Sequence, residues 1–428
     1  MRILMPLFIA GFASLFLIAP LHSNSSIKSI PATEYNAPQT LADANNKFAI
    51  ALFKTAQSPN KNEFISPYSI SSALAMTYLG ADGSTEQCMN KVLNFTGNTA
   101  PFHRNFSQLN QTISSINKTK DLEFNIANRL WGAQKYKFNA QFLKESKQYY
   151  QAGLERINFE KAEQAAKTIN EWVEQKTNNK IKDLLSAAAL KGARLVLTNA
   201  IYFNASWAIA FNEASTQDQY FYLDNQSHII KPFMRVSGWK ANQEESKYRY
   251  KYTDDKEVQV LEIPYTDNQA SMVVVLPKER TGLAALVDKL NGKQYKKWIN
   301  NLKVPSSKLT ISLPKWTNTS EYRLAKDLKK MGMETAFSDM ANFHKMSAPS
   351  ETPLKISDVI HKAFVDVSEK GTEAAAATAV IMVQITSAVG SSKVEPHIYF
   401  IAEHPFLYFI KDNKTNSILF MGQVTKPE

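Results

Sequence analysis

Glu369-Lys370-Gly371-Thr372-Glu373-Ala374-Ala375-Ala376-Ala377-Thr378-Ala379-Val380-Ile381-Met382-Val383-Gln384-Ile385-Thr386-Ser387-Ala388-Val389-Gly390 is the stretch on which the reading of this chain turns. No charged residue lies between Glu373 and Lys393. So long an uncharged run is unusual outside a core. A membrane helix is a poor fit, because Gln384, several hydroxyls and a glycine interrupt a run that is barely long enough. The alanines favour helix, whereas the Val/Ile/Thr-rich second half favours strand. Read as a strand, Thr372, Ala374, Ala376, Thr378, Val380 and Met382 share one small, uncharged face, and Glu373 leads the other. Such a face can slide between two existing strands, so the stretch reads as a loop able to enter a sheet.

The chain has 428 residues, 44% hydrophobic and 21% charged, enough for a large core. Arg2 followed by the apolar run Ile3 to Leu21 and then His22-Ser23 reads as a secretory signal peptide over residues 1–23. Pro6, Gly11 and Pro20 argue against an uncleaved anchor, and no cysteine offers a lipid anchor there. Residues 24–40, rich in Ser, Pro and Asn, read as disordered. Cys88 is the one cysteine, so an exported chain would have no internal disulfide. It reads as a packing residue. A formal charge of +11 and a pI near 9.3 favour loose attraction to polyanions without naming a partner. Asn-x-Ser/Thr triplets such as Asn94-Phe95-Thr96 and Asn105-Phe106-Ser107 matter where the source glycosylates.

Along the chain, Leu41, Ala44, Phe48, Leu52 and Phe53 have helical spacing. Ser66 can cap a helix that starts at Pro67. The apolar stripe of 161–185 reads as one long helix. Leu195 to Phe203 is apolar on both faces, as in a strand covered on both sides. Phe124 to Trp131 alternates as a strand, and Leu324 to Met331 reads as a helix. Lys247, Arg249 and Lys251 alternate with three tyrosines, a pattern seen in nucleic-acid binding, but an amphipathic strand explains it more simply. Nucleic-acid binding is not expected. Two apolar runs, Phe406–Ile410 and Ile418–Gly422, read as a hairpin. Helices dominate early and strands late, which gives a single α+β domain over residues 41–428. The sequence has no Gly-x-Ser-x-Gly, His-Glu-x-x-His or Gly-x-x-x-x-Gly-Lys motif and no cysteine pair, so no enzyme, metal site or cofactor is expected.

Several stretches in order resemble the serpins, a family of serine protease inhibitors. They are Phe64-Ile65-Ser66-Pro67-Tyr68-Ser69-Ile70, Ile169-Asn170-Glu171-Trp172-Val173-Glu174, Leu197-Thr198-Asn199-Ala200-Ile201-Tyr202-Phe203 with Trp207, and Leu313-Pro314-Lys315. Met331-Gly332-Met333, His361-Lys362-Ala363-Phe364-Val365-Asp366-Val367, His404-Pro405-Phe406-Leu407 and Phe420-Met421-Gly422 complete the set. The resemblance implies a large mixed sheet A, two further sheets, about eight or nine helices and an exposed reactive loop over residues 369–395. It also implies suicide inhibition. A protease serine attacks a loop bond, and the cut loop enters sheet A before the acyl-enzyme hydrolyses. About a dozen new ladder bonds at net about 1 kcal/mol each put the drive on the scale of a whole domain's stability.

The resemblance carries roles onto particular residues. Glu369, Gly371, Thr372, Glu373, Ala374, Ala375, Ala376 and Ala377 match the hinge, which must stay small and uncharged at its critical positions. Ser66, Ser69, Asn199 and His361 match the shutter beneath mid-sheet. Trp207, Lys315 and Glu369 match the breach, where the loop enters. Counting about sixteen residues on from Glu369 places the reactive bond at Ile385–Thr386. Met382, Val383 and Gln384 then contribute to specificity, and Met382, Gln384 and Val389 remain alternative positions for the bond. A β-branched aliphatic there and no Arg or Lys between Lys370 and Lys393 point to elastase-like rather than trypsin-like proteases. The expected partner is one serine protease in a covalent 1:1 complex with a monomeric inhibitor. The alternatives are a non-inhibitory carrier or storage member and a cross-class inhibitor of papain-like cysteine proteases.

Overall fold

Leu195–Ser206 forms strand β4, and ten of its twelve residues are buried. The computed structural model that contains it describes residues 37–118, 121–151, 153–240, 248–372 and 396–428. β4 lies in a six-stranded sheet A with β2 (Leu122–Ala133), β3 (Leu154–Ile157), β11 (Trp316–Arg323), β12 (Val359–Ser368) and β13 (Gly371–Thr372). The strand order is β11-β12-β13-β4-β2-β3, with a direct β12–β4 pairing besides. A second six-stranded sheet, sheet B, has the order β1-β16-β15-β9-β8-β7, built from Glu63–Ile65, Ile418–Val424, Phe406–Asp412, Ala270–Pro277, Val258–Pro264 and Lys251–Asp254. Sheet C has four strands in the order β14-β10-β6-β5: His397–Ile401, Lys308–Pro314, His228–Trp239 and Gln217–Tyr222.

Nine α-helices flank these sheets among the described residues. They are α1 (Ala37–Ala56), α2 (Pro67–Tyr78), α3 (Gly83–Leu93), α4 (Ala100–Ser114), α5 (Ala140–Tyr150), α6 (Ala162–Lys176), α7 (Leu283–Lys289), α8 (Gly292–Asn301) and α9 (Ala325–Leu328). Ser66 caps α2 by accepting the Ser69 amide, with Pro67 as its first residue. The fold is thus the mixed α+β architecture expected, with three sheets.

Sheet A is covered on both faces. Phe124 and Leu130 of β2 point into the main core with sheet B, α1 and α2. Ala127 and Trp131 point the other way, into a smaller core under α6 with Ile169, Val173, Ile181 and Leu185. This is why β4 reads as apolar throughout.

Three readings are corrected. The helix expected over 161–185 ends at Lys176, because Asn178 and Asn179 take positive φ (50° and 61°) and break it. Ile181, Leu184 and Leu185 stay buried, so the apolar pattern was real while the helix was not. The helix expected over 324–331 is short, and its irregular continuation over Lys329–Met333 is kinked at Gly332 (φ 111°). Ala37–Thr40, expected to be disordered, are already part of helix α1. The Tyr/Lys alternation is structural where described: Tyr250 is buried, and Lys251 pairs with Glu262 at 3.2 Å.

The central feature is a slot in sheet A. β12 and β4 run parallel and pair from Val359↔Leu197 to Ala363↔Ile201. Beyond that, β13 lies between them, antiparallel to both: Thr372 is opposite Val367 and Ala205, and Gly371 opposite Ser368 and Ser206.

Sheet B is packed tightly enough to test at one atom. A Cβ on Gly422 would sit 2.4 Å from the Tyr408 ring and 2.5 Å from the Glu63 carbonyl oxygen. Gly422→Ala should therefore destabilise the protein by about 1–3 kcal/mol. Chemical denaturation checks this, and a midpoint equal to that of the parent protein would contradict the packing.

Candidate functional site

The first group of candidate residues lies where the two strands of the slot still touch. β12 sends its odd-numbered side chains toward the main core, so His361 faces α2. The Ser66 amide donates to His361 Nε2 at 3.0 Å, which leaves the proton on Nδ1, and Nδ1 donates to Asn199 Oδ1. The Asn199 amide nitrogen donates to Ser69 Oγ and Asn128 Oδ1. Asn128 Nδ2 donates to the Ser69 carbonyl at 3.1 Å, and Ser66 Oγ to that of Leu419 at 2.7 Å. Ser66, Ser69, Asn199 and His361 are all fully buried. One network thus joins β12, β4, β2 and α2, and its His361–Asn199 link spans the two strands that insertion would separate. Burial pushes the His361 imidazole down to about 3, against the opposing pull of its bond to Asn199.

The second group sits at the other end of the slot. The Glu369 carboxylate accepts Thr216 Oγ1 at 2.7 Å and pairs with Lys315 Nζ at 3.0 Å. Burial would push this carboxyl up, but the Thr216 hydroxyl, its own amide and the Lys315 ammonium outweigh that and hold it below the usual range. The Trp207 indole donates to the Ser368 carbonyl and its amide to that of Lys370, each at 2.9 Å. The Phe211 amide donates to the Glu369 carbonyl at 2.9 Å. Trp207 stacks on Tyr265 with ring centres 4.6 Å apart. The Tyr265 hydroxyl lies 2.6 Å from Thr372 Oγ1.

Gly371 is required at its place, because a Cβ would meet the Ala205 carbonyl oxygen at 2.1 Å. Thr372 has no exposed surface. The start of the hinge is therefore strand rather than exposed loop. Glu373, Ala374, Ala375, Ala376, Ala377, Met382, Val383, Gln384, Ile385 and Thr386 lie outside the described residues.

Asn128, Thr216 and Tyr265 were not singled out in the sequence. Asn128 did leave a signal, since alternation puts a polar residue on the Phe124/Leu130 face of an apolar strand. Thr216 and Tyr265 left none, as each meets its partner more than 100 residues away in the chain.

The His361 network gives a pH expectation. An unfolded imidazole titrates near 6.5 and the folded one near 3, so its stability contribution is complete above pH 6.5 and falls as pH drops. At pH 5 the loss from this residue should be about 2 kcal/mol. Unfolding midpoints from pH 7 to pH 5 test it. His361→Gln should flatten the profile, and an equally steep one would rule His361 out as a source of the slope.

The description "Serpin (serine protease inhibitor)" matches residues 43–427. Human Serpin B8 is 38% identical over 90% of this chain and 99% of its own length. The leukocyte elastase inhibitor of Bos taurus is 36% identical over 91% of this chain and its whole length. Among solved structures, human thyroxine-binding globulin complexed with its ligand superposes with a TM-score of 0.77 at 30% identity, covering 91% of this chain and 99% of the other. Family description, full-length relatives and slotted sheet A agree, and the chain belongs to the serpin family.

Proposed function

We propose that this protein is a secreted suicide-substrate inhibitor of serine proteases, with elastase-like enzymes as targets. The observation that carries the reading is the strand Gly371–Thr372, already seated between β12 and β4 at the mouth of the slot. The reactive loop is bait rather than catalyst. The protease serine oxygen adds to the Ile385 carbonyl carbon and the Ile385–Thr386 bond breaks. The Thr386 amine leaves with a proton, and Ile385 remains as an ester on the protease. The loop upstream of that ester is then free to extend β13.

The register supports this path. Continued from β13, it would set Thr378 between Asn199 and His361, and Val380 between Leu197 and Val359. The five β12–β4 pairs would be replaced one by one. Thr378 would part the His361–Asn199 bond while offering its hydroxyl to the same groups. Relatives named leukocyte elastase inhibitor and the absence of Arg or Lys between Lys370 and Lys393 both favour an elastase-like target. Residues 1–23 serve as the signal peptide, and the inhibitor acts as a monomer in a covalent 1:1 complex.

One relative of the same fold is named for binding thyroxine, so a carrier role is the competing reading. Incubation with neutrophil or pancreatic elastase separates the two. Inhibition gives a complex that survives denaturing electrophoresis, whereas a carrier is only clipped. Mass spectrometry of the released C-terminal fragment should place its first residue at Thr386.

Thr372→Arg should convert inhibitor to substrate, because Thr372 is buried against Tyr265 and a guanidinium cannot be buried there unpaired. An unchanged stoichiometry of inhibition would refute insertion through this position.

A further inference from the structure

The clamp on the hinge extends beyond Trp207, Lys315 and Glu369. Residues 368–370 are held through their carbonyls, by the Trp207 indole and the amides of Trp207 and Phe211, and through the Glu369 and Lys370 side chains, by Thr216, Lys315 and Glu213. Those bonds fix the turn between β12 and β13 but do not grip the inserted pair by its side chains. Gly371 has no side chain to hold. Thr372 does, and its hydroxyl meets that of Tyr265 at 2.6 Å in a site where both residues are fully buried. Tyr265 follows β8 in sheet B and so belongs to the body of the protein. Its ring lies nearly parallel to the Trp207 indole, at 11°, and Trp207 and Tyr265 form a short antiparallel bridge.

We infer that Tyr265 is a positioning residue for the hinge: its hydroxyl holds Thr372 in the slot, so the inserted strand is begun before a protease cuts the loop. This rests on the inhibitory reading given above. Starting a strand is its unfavourable part, since the first residues give up their conformational freedom before a full ladder repays it. Each later residue adds to an existing edge. Once the acyl-enzyme forms, insertion competes with hydrolysis of the ester. A strand already begun shortens the path to the trap and leaves the uncatalysed part of the race to elongation alone. The geometry offers Thr372 a partner of matched size, donor to acceptor, with no water needed between them.

The test uses Tyr265→Phe, which keeps the ring and its stacking, Thr372→Val, which keeps the shape, and the double variant. Either single change leaves one buried hydroxyl without its partner, and the double leaves neither. Amide hydrogen exchange at Gly371 and Thr372, with no protease present, should speed up by about five- to thirtyfold in each single variant, the effect of one such lost bond. In the double variant it should return toward the parent rate. Stoichiometry of inhibition against elastase should rise in each single variant and recover in the double, with the rate of protease association much less affected.

Unchanged exchange in both single variants, or a double variant that simply sums them, overturns the grip. Altered exchange with unchanged stoichiometry overturns the positioning role. A parent protein that elastase clips without forming a covalent complex overturns the inhibitory reading instead, and the exchange measurement still decides the grip.

Discussion

Sheet A is held shut by five residue pairs and one histidine. β12 and β4 pair from Val359↔Leu197 to Ala363↔Ile201, and His361 bonds Asn199 across the middle pair of that ladder. Everything else about the site depends on this contact being good but replaceable. A parallel ladder is slightly weaker per residue than an antiparallel one. A strand entering from β13 is antiparallel to both neighbours, so each step exchanges one ladder for two. On the proposed mechanism the closed sheet would therefore be locally satisfied with a further ladder still to gain.

The exchange can be orderly because the sheet has a firm body on either side of the slot. β4 is fixed to β2 along eleven paired residues, from Leu122↔Ala205 to Gly132↔Leu195. β12 is fixed to β11 along eight, from Trp316↔Val367 to Arg323↔Ile360. The two halves can part without either strand losing its outer partner. Beside the five ladder pairs, the side-chain bond from His361 to Asn199 crosses the gap, and it belongs to a buried network with Asn128 and Ser69 in which an unsatisfied group would be costly. Holding His361 neutral serves that network, because a charged imidazole could not accept the Ser66 amide.

Much of this was legible from composition and alternation. β4 declared itself by being apolar on both faces, and the cap Ser66-Pro67 located α2 by local chemistry. His361 and Asn199 were found by resemblance, since nothing local distinguishes a buried histidine that bridges strands from one that merely packs. The helix expected over 161–185 failed for a physical reason. The α6 stripe continues through Ile181, Leu184 and Leu185 in the same core, but Asn178 and Asn179 turn the backbone left-handed. Burial pattern recorded where those side chains go and was silent on how the chain gets there. Tyr265 and Thr216 were invisible because their meaning lies in partners brought near only by the fold.

The two faces of the slot explain why neighbouring hinge positions carry opposite chemistry. On the inner face β12 presents Val359, His361, Ala363, Val365 and Val367, all buried. On the outer face it presents Lys362, Phe364 and Asp366, all partly exposed, with Asn204 and Ser206 of β4 beside them. Thr372 faces inward, and in the proposed inserted strand the same alternation would put Ala374, Ala376, Thr378 and Val380 on that side, none of them charged. In the proposed inserted strand Glu373 would fall to the outer side, where a carboxylate could keep its water. Insertion would thus tolerate a charge at 373 and exclude one at 372, one residue away. On the proposed mechanism, the uncharged run would be the imprint of a face that becomes buried only after the loop has been cut.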